Sequence, residues 1–136
     1  MNRFSIEDLA MEIALNASKR SEDFYKKVGC AIFNKDGRLL SIGYNGFAPK
    51  QNVPNKILAN RDERRKYIIH AEANALSCIS RYENPELLAC TLLPCSSCAI
   101  NIASYGIKKV IYKEEYTKDK LAHDIFKFYK IQIEKH

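Results

Sequence analysis

Residues 89–112 read Ala-Cys-Thr-Leu-Leu-Pro-Cys-Ser-Ser-Cys-Ala-Ile-Asn-Ile-Ala-Ser-Tyr-Gly-Ile-Lys-Lys-Val-Ile-Tyr. Ala89 to Leu93 is a short apolar run of strand type, and Pro94 stops it. Cys95 opens a helix that runs to about Ser104, and Gly106 stands just past its end, where a left-handed residue terminates helices. Ile107 to Tyr112 is again apolar and β-branched, hence a strand. A strand, a helix and a strand within 24 residues imply a layered α/β domain.

The same alternation continues on both sides. Upstream, a helix is expected from His70 to about Arg81 or Tyr82, ended by Asn84-Pro85. Val28–Phe33 and Arg38–Tyr44 form a β-hairpin around the turn Asn34-Lys35-Asp36-Gly37, with Gly37 at positive φ. From Ser5 to Arg20, Ile6, Leu9, Ala10, Ile13, Ala14 and Ala17 make one helical stripe, capped by Ser5 and with Glu7 and Asp8 in the first turn. Downstream, Asp119–Tyr129 reads as a helix and Ile131–Glu134 as a fifth strand. The expectation is one domain over residues 1–136: a mixed five-stranded sheet in a three-layer α/β/α arrangement. Phe47 to Ile57 is a loop, and Leu58–Lys66 contains a charged helical turn. Its run Arg61-Asp62-Glu63-Arg64-Arg65-Lys66 reads as a solvated face.

The chain has 136 residues, a net charge of +6 and five cysteines. The basic charge favours an anionic partner without choosing one. No apolar run is long enough to cross a membrane, and the first eight residues lack a signal-type apolar core, so a cytoplasmic location is expected. Cys30, Cys78 and Cys90 lie in apolar neighbourhoods and read as buried free thiols.

Two short stretches carry chemistry. His70-Ala71-Glu72 supplies an imidazole and a carboxylate; Pro94-Cys95-Ser96-Ser97-Cys98 supplies two thiols three residues apart. His70, Cys95 and Cys98 are three ligands for zinc, one short of a closed tetrahedron, and a catalytic zinc needs that open position for water. At a helix N-terminus the free N–H groups favour thiolates, and one helical turn points Cys95 and Cys98 to the same side. Glu72 is placed as the proton carrier beside the metal. A closed structural site would need a fourth ligand from Cys30, Cys78 or Cys90. No Cys or His occurs between Phe47 and Ile69, so that insertion holds no second metal. Gly43-Tyr44-Asn45-Gly46 ends the second strand; its glycines let the backbone turn and approach a ligand. Asn45 offers both donor and acceptor to a pyrimidine edge, or else braces its own loop.

H-x-E followed by P-C-x-x-C is the zinc nucleobase deaminase signature. With Val28-Gly29-Cys30-Ala31-Ile32, Gly43-Tyr44-Asn45-Gly46, His70-Ala71-Glu72-Ala73-Asn74-Ala75, Pro94-Cys95-Ser96-Ser97-Cys98-Ala99, Gly106-Ile107-Lys108-Lys109-Val110 and the Tyr112…Tyr116 pair, the chain resembles the deoxycytidylate (dCMP) deaminase family over about residues 28–116. The resemblance implies the cytidine deaminase-like fold, one zinc per chain, and hydrolysis of dCMP to dUMP and ammonia. It also implies that Asn45 and the Ala71 backbone N–H contact the base and that Tyr116 lies near sugar or phosphate. Lys27 is a candidate for the phosphate, with Lys26 and Lys50. A homo-oligomer, commonly a hexamer, is implied too, as are dCTP and dTTP effectors, each with Mg2+, near Gly43, Tyr44 and Gly46. The loop Phe47-Ala48-Pro49-Lys50-Gln51-Asn52 and the short insertion depart from the family pattern. Other readings are a tRNA adenosine deaminase, a free cytidine or guanine deaminase, and a non-catalytic zinc-stabilised interaction domain. Intact Glu72 argues against the last, and scattered rather than clustered basic residues argue against nucleic acid.

Overall fold

The computed structural model describes residues 2–115 and 119–136. The elements in chain order are α1 (Ile6–Ser18), β1 (Gly29–Asn34), β2 (Leu39–Tyr44), α2 (Asn55–Ala59), α3 (Arg61–Arg65), α4 (Ala71–Leu76), a 3-10 turn (Arg81–Glu83), β3 (Pro85–Leu92), α5 (Ser96–Ser104), β4 (Lys109–Glu114), α6 (Leu121–Phe128) and β5 (Gln132–Lys135). The sheet runs in the order β2-β1-β3-β4-β5. β1 is antiparallel to both β2 and β3, whereas β3, β4 and β5 are mutually parallel. The expected mixed five-stranded sheet is therefore present.

Strand residues alternate between the two faces, as the pleat requires. Ala31, Phe33, Leu87, Ala89 and Ile111 pack on Ala10, Met11 and Ala14 of α1. Cys30, Ile32, Leu88, Cys90, Val110 and Tyr112 face the other way, onto Ala71 and Ala75 of α4, Ala99 and Ile102 of α5, and Ala122 and Phe126 of α6. Small residues on α1 and α4 let both helices sit close to the sheet. Among the described residues no helix is long and apolar enough to cross a membrane.

Local signals hold where they were strongest. Ser5 caps α1 by accepting from Asp8 N at 3.0 Å, and Gly37 and Gly106 have φ of 77° and 80°. Three readings need correction. The helix after His70 stops at Leu76, because Ser77 and Cys78 turn back onto the Asn74 carbonyl and Ser80 opens a separate capped turn with Glu83. Cys78 is consequently exposed, while Cys30 and Cys90 are buried free thiols. Arg64, inside the run read as a solvated face, is buried.

Candidate active site

His70 and Cys95 are the N-cap residues of α4 and α5. The two helix starts lie side by side because α4 and α5 pack on the same face of the sheet. An isolated antiparallel bridge, Gly46 to Ile69, fixes the chain just before His70. Its bonds are Gly46 N to Ile69 O at 3.0 Å and Ile69 N to Gly46 O at 2.7 Å. Gly46 thus serves strand-like pairing rather than a sharp turn. Gly43 instead allows close packing, since a Cβ there would meet the backbone of α4 at Ala71 O and Ala75 N.

The ligand atoms of His70, Cys95 and Cys98 all lie within 4.8 Å of one another. His70 Nδ1 is 3.3 Å from Cys98 Sγ and 3.6 Å from Cys95 Sγ. Tetrahedral zinc with ordinary Zn–S and Zn–N bonds requires an S···N separation of about 3.6 Å. The donor set therefore fits zinc in both chemistry and spacing, with Nδ1 as the imidazole donor. Neither Cys30 nor Cys90 joins that group, so no fourth protein ligand closes it among the described residues. In the metal-free protein the two thiols share one negative charge. Cys95 is lowered to about 4, first by the Cys98 thiol that donates to it and then by His70, against burial. Cys98 is raised, since it keeps the shared proton. The Cys95 thiolate raises His70 in turn.

Glu72, in the first turn of α4, is buried beside this triad. Burial raises its carboxyl above the usual carboxylate range, opposed by a hydrogen bond from Cys90 and by His70. Such a group binds and releases protons closer to neutrality than an exposed carboxylate.

His70, Glu72 and Cys95 line a cleft of about 230 Å³. Lys26, Arg61, Arg64 and Arg65 line the same cleft, together with Asp23. Arg64 pairs with buried Asp23, lies 5.1 Å over the Tyr25 ring and leaves Nε without a partner among the described residues. Lys26 pairs with Glu114. Arg61 and Arg65 have no ion-pair partner among the described residues. Lys27 and Lys50, by contrast, do not line the cleft. The sequence did hold a signal for the arginines. Arg61, Arg64, Arg65 and Ile68 stand at i, i+3, i+4 and i+7, and these four residues all line the cleft.

Asn45 also lines the cleft, but its amide is fully occupied. Oδ1 accepts from Ser21 Oγ at 2.7 Å and Val28 N at 2.9 Å. Nδ2 donates to Asp23 Oδ2 at 3.1 Å and to the Lys26 carbonyl at 2.8 Å. The Val28 N–H can only donate and the Lys26 carbonyl can only accept, so the amide orientation is fixed. In this geometry Asn45 braces the segment 21–28. Ala71, at the first position of α4, is fully buried and lines the cleft. Tyr44 OH accepts from Arg20 Nε at 3.0 Å. Tyr116 lies outside the described residues.

The pattern of the cytidine and deoxycytidylate deaminase zinc-binding region matches residues 5–114. The deoxycytidylate deaminase of Schizosaccharomyces pombe is 32% identical over 133 residues, covering 87% of this chain and 40% of that protein. The deoxycytidylate deaminase of phage T4 is 30% identical over 156 aligned positions, covering 84% of this chain and 80% of its own. A crystal structure of the dCMP deaminase of cyanophage S-TIM5, in complex with dCMP and dUMP, is 28% identical and superposes with a TM-score of 0.79 over all of both chains. The chain spans less than two thirds of the length of the fly, nematode, fission yeast and human relatives that it matches. Its three-ligand triad, its buried glutamate and these likenesses together make the chain a member of the cytidine and deoxycytidylate deaminase family.

Proposed function

We propose that residues 1–136 form one zinc-dependent deaminase domain that hydrolyses dCMP to dUMP and ammonia. The observation that carries this reading is a single cleft joining a three-ligand site with a buried carboxylate to a cationic wall. His70, Cys95 and Cys98 would hold the zinc, which would supply a water acidic enough to ionise near neutral pH. Glu72 would take one proton from the attacking water and deliver it to ring N3 as the C4–O bond forms. It would then carry the remaining proton of the hydroxyl added at C4 to the amino nitrogen, so that the C4–N bond breaks, ammonia departs and the C4 oxygen becomes a carbonyl. Atoms balance without any other reactant. Leu92, Leu93 and Val28 give the cleft apolar walls suited to a pyrimidine ring, and the Ala71 N–H, at the helix start, has no backbone partner among the described residues.

Arg61 and Arg65, with the unpartnered Nε of Arg64, are better placed than Lys27 for a nucleotide phosphate. A phosphate there gains charge-assisted hydrogen bonds that a nucleoside cannot make. The wider family pattern adds a cytoplasmic homo-oligomer, a hexamer in its commonest form, and dCTP and dTTP effectors with Mg2+. Light scattering with and without those nucleotides tests both.

Ammonia release from dCMP, CMP, dCTP, cytidine, deoxycytidine, guanine and RNA tests the main reading. dCMP should be the best substrate. Arg61→Ala with Arg65→Ala should raise KM for dCMP about tenfold to a hundredfold, the worth of one charged hydrogen bond, and leave deoxycytidine unchanged. Preference for the nucleoside, or activity on RNA alone, would contradict the dCMP assignment.

A further inference from the structure

The proton transfers assigned to Glu72 make no use of Cys90, yet Cys90 Sγ lies 3.2 Å from Glu72 Oε1. Both groups are buried, Cys90 at 0% and Glu72 at 4% exposure. Cys90 sits in β3 on the face that packs against α4, directly opposite Cys30 of β1 in the sheet register. A carboxylate has only acceptors to offer, so the thiol is the donor. Burial pushes the Cys90 thiol well above an ordinary thiol, so it keeps the proton it donates. An apolar residue of similar size would fill this core position equally well without any donor.

We infer that Cys90 is a positioning residue for Glu72: its S–H fixes Oε1 against the sheet, so that Oε2 is the oxygen that meets water and substrate. A glutamate side chain has three rotatable bonds, and a carboxylate serving successive proton transfers must find the same geometry each time. The thiol is a weak donor. It orients the carboxylate while leaving it free to exchange protons through the other oxygen. This inference rests on the reading of Glu72 as the proton carrier.

The test compares Cys90→Val, a slightly larger apolar residue that removes the donor, with Cys90→Ser, which keeps a donor. Steady-state kinetics on dCMP, zinc content and melting temperature are measured for each. Cys90→Val should retain zinc and KM while kcat falls about five- to tenfold, on the order of one hydrogen bond. Cys90→Ser should recover most of that loss. Infrared spectra of the zinc-free protein give a second readout. The S–H stretching band lost in Cys90→Val should lie at the lower frequency of a bonded thiol and move to the free position in Glu72→Ala. Wild-type kcat in Cys90→Val, or a band indifferent to Glu72→Ala, overturns the proposal. So does a loss of kcat that merely tracks lost zinc. If Cys90→Ser does not fold, the infrared comparison decides. Turnover surviving in Glu72→Ala would remove the proton carrier itself; an inactive Glu72→Ala beside a normal Cys90→Val would remove only the role given to Cys90.

Discussion

Replacing Gly43 by alanine tests whether the spacing between β2 and α4 sets the position of Glu72. A Cβ on Gly43 would stand 2.4 Å from the Ala71 carbonyl oxygen and 2.6 Å from Ala75 N. Ordinary contact begins at 3.4 Å, so the first pair falls short by 1.0 Å. Both atoms are backbone of α4, and no side chain can rotate away. Either α4 recedes by about that amount or β2 bends, and each moves Glu72 relative to Cys95 and Cys98 at the start of α5. Overpacking of this kind costs about 1–3 kcal/mol of stability, and a displacement near 1 Å can cost about a hundredfold in rate. Gly29 supplies the control. A Cβ there would stand 1.9 Å from Ala14 O and 2.6 Å from Ser18 N, both in α1 or its C-terminal end on the opposite face of the sheet. Gly29→Ala should therefore destabilise at least as much and affect kcat far less. The assay is kcat and KM on dCMP, normalised to zinc-loaded protein, with melting temperatures alongside. Wild-type kcat in folded Gly43→Ala, or equal kcat losses in the two variants, would refute the reasoning.

Glu72→Ala should keep zinc and fold while turnover falls by at least about 10²–10⁴, the worth of a positioned general acid–base. His70→Ala should lose metal and activity together, and metal analysis of both variants separates a ligand from a proton carrier. The pH dependence of stability has a contributor in Asp119, whose Oδ2 accepts the Ser96 N–H at 2.7 Å. That bond, the largest cause, holds the carboxyl below its ordinary value of 3.8. A lowered folded-state pKa means that the stabilisation is present above the unfolded pKa and is lost as pH falls through the folded one. Asp119→Asn should lower the melting temperature near neutrality and flatten its fall in acid. Thermal melts from roughly pH 2 to 7 check this, and an unchanged acid limb would exclude the role.

Much of the site was legible because its signals are local. Cys95 and Cys98 share a face through one helical turn, and Pro94 and Gly106 mark the limits of the segment that carries them. Cys30 and Cys90 read as buried because their neighbours in sequence are apolar. Cys78 read the same way wrongly, since the helix that would have buried it ends two residues earlier on serine hydrogen bonds. Arg64 was misread for a related reason. Charge density suggested solvent, which holds for Arg61 and Arg65, whereas burial of Arg64 depends on Asp23, 41 residues away.

The sequence by itself determined the candidate metal ligands, the candidate proton carrier, the hairpin and the alternation of strands and helices. These depend on residue type and on periods of two or three to four residues, which any reader of the chain can count. Only the tertiary structure decided which surface each residue meets. The strand order β2-β1-β3-β4-β5 puts Cys30 beside Cys90, and the packing of α4 on that sheet brings Cys90 to Glu72. The fold of segment 21–28 uses every hydrogen bond that Asn45 can make and turns Lys26, not Lys27, toward the cleft. The physical reason is that hydrogen bonding and desolvation act between groups close in space, and their distance along the chain carries no trace of it.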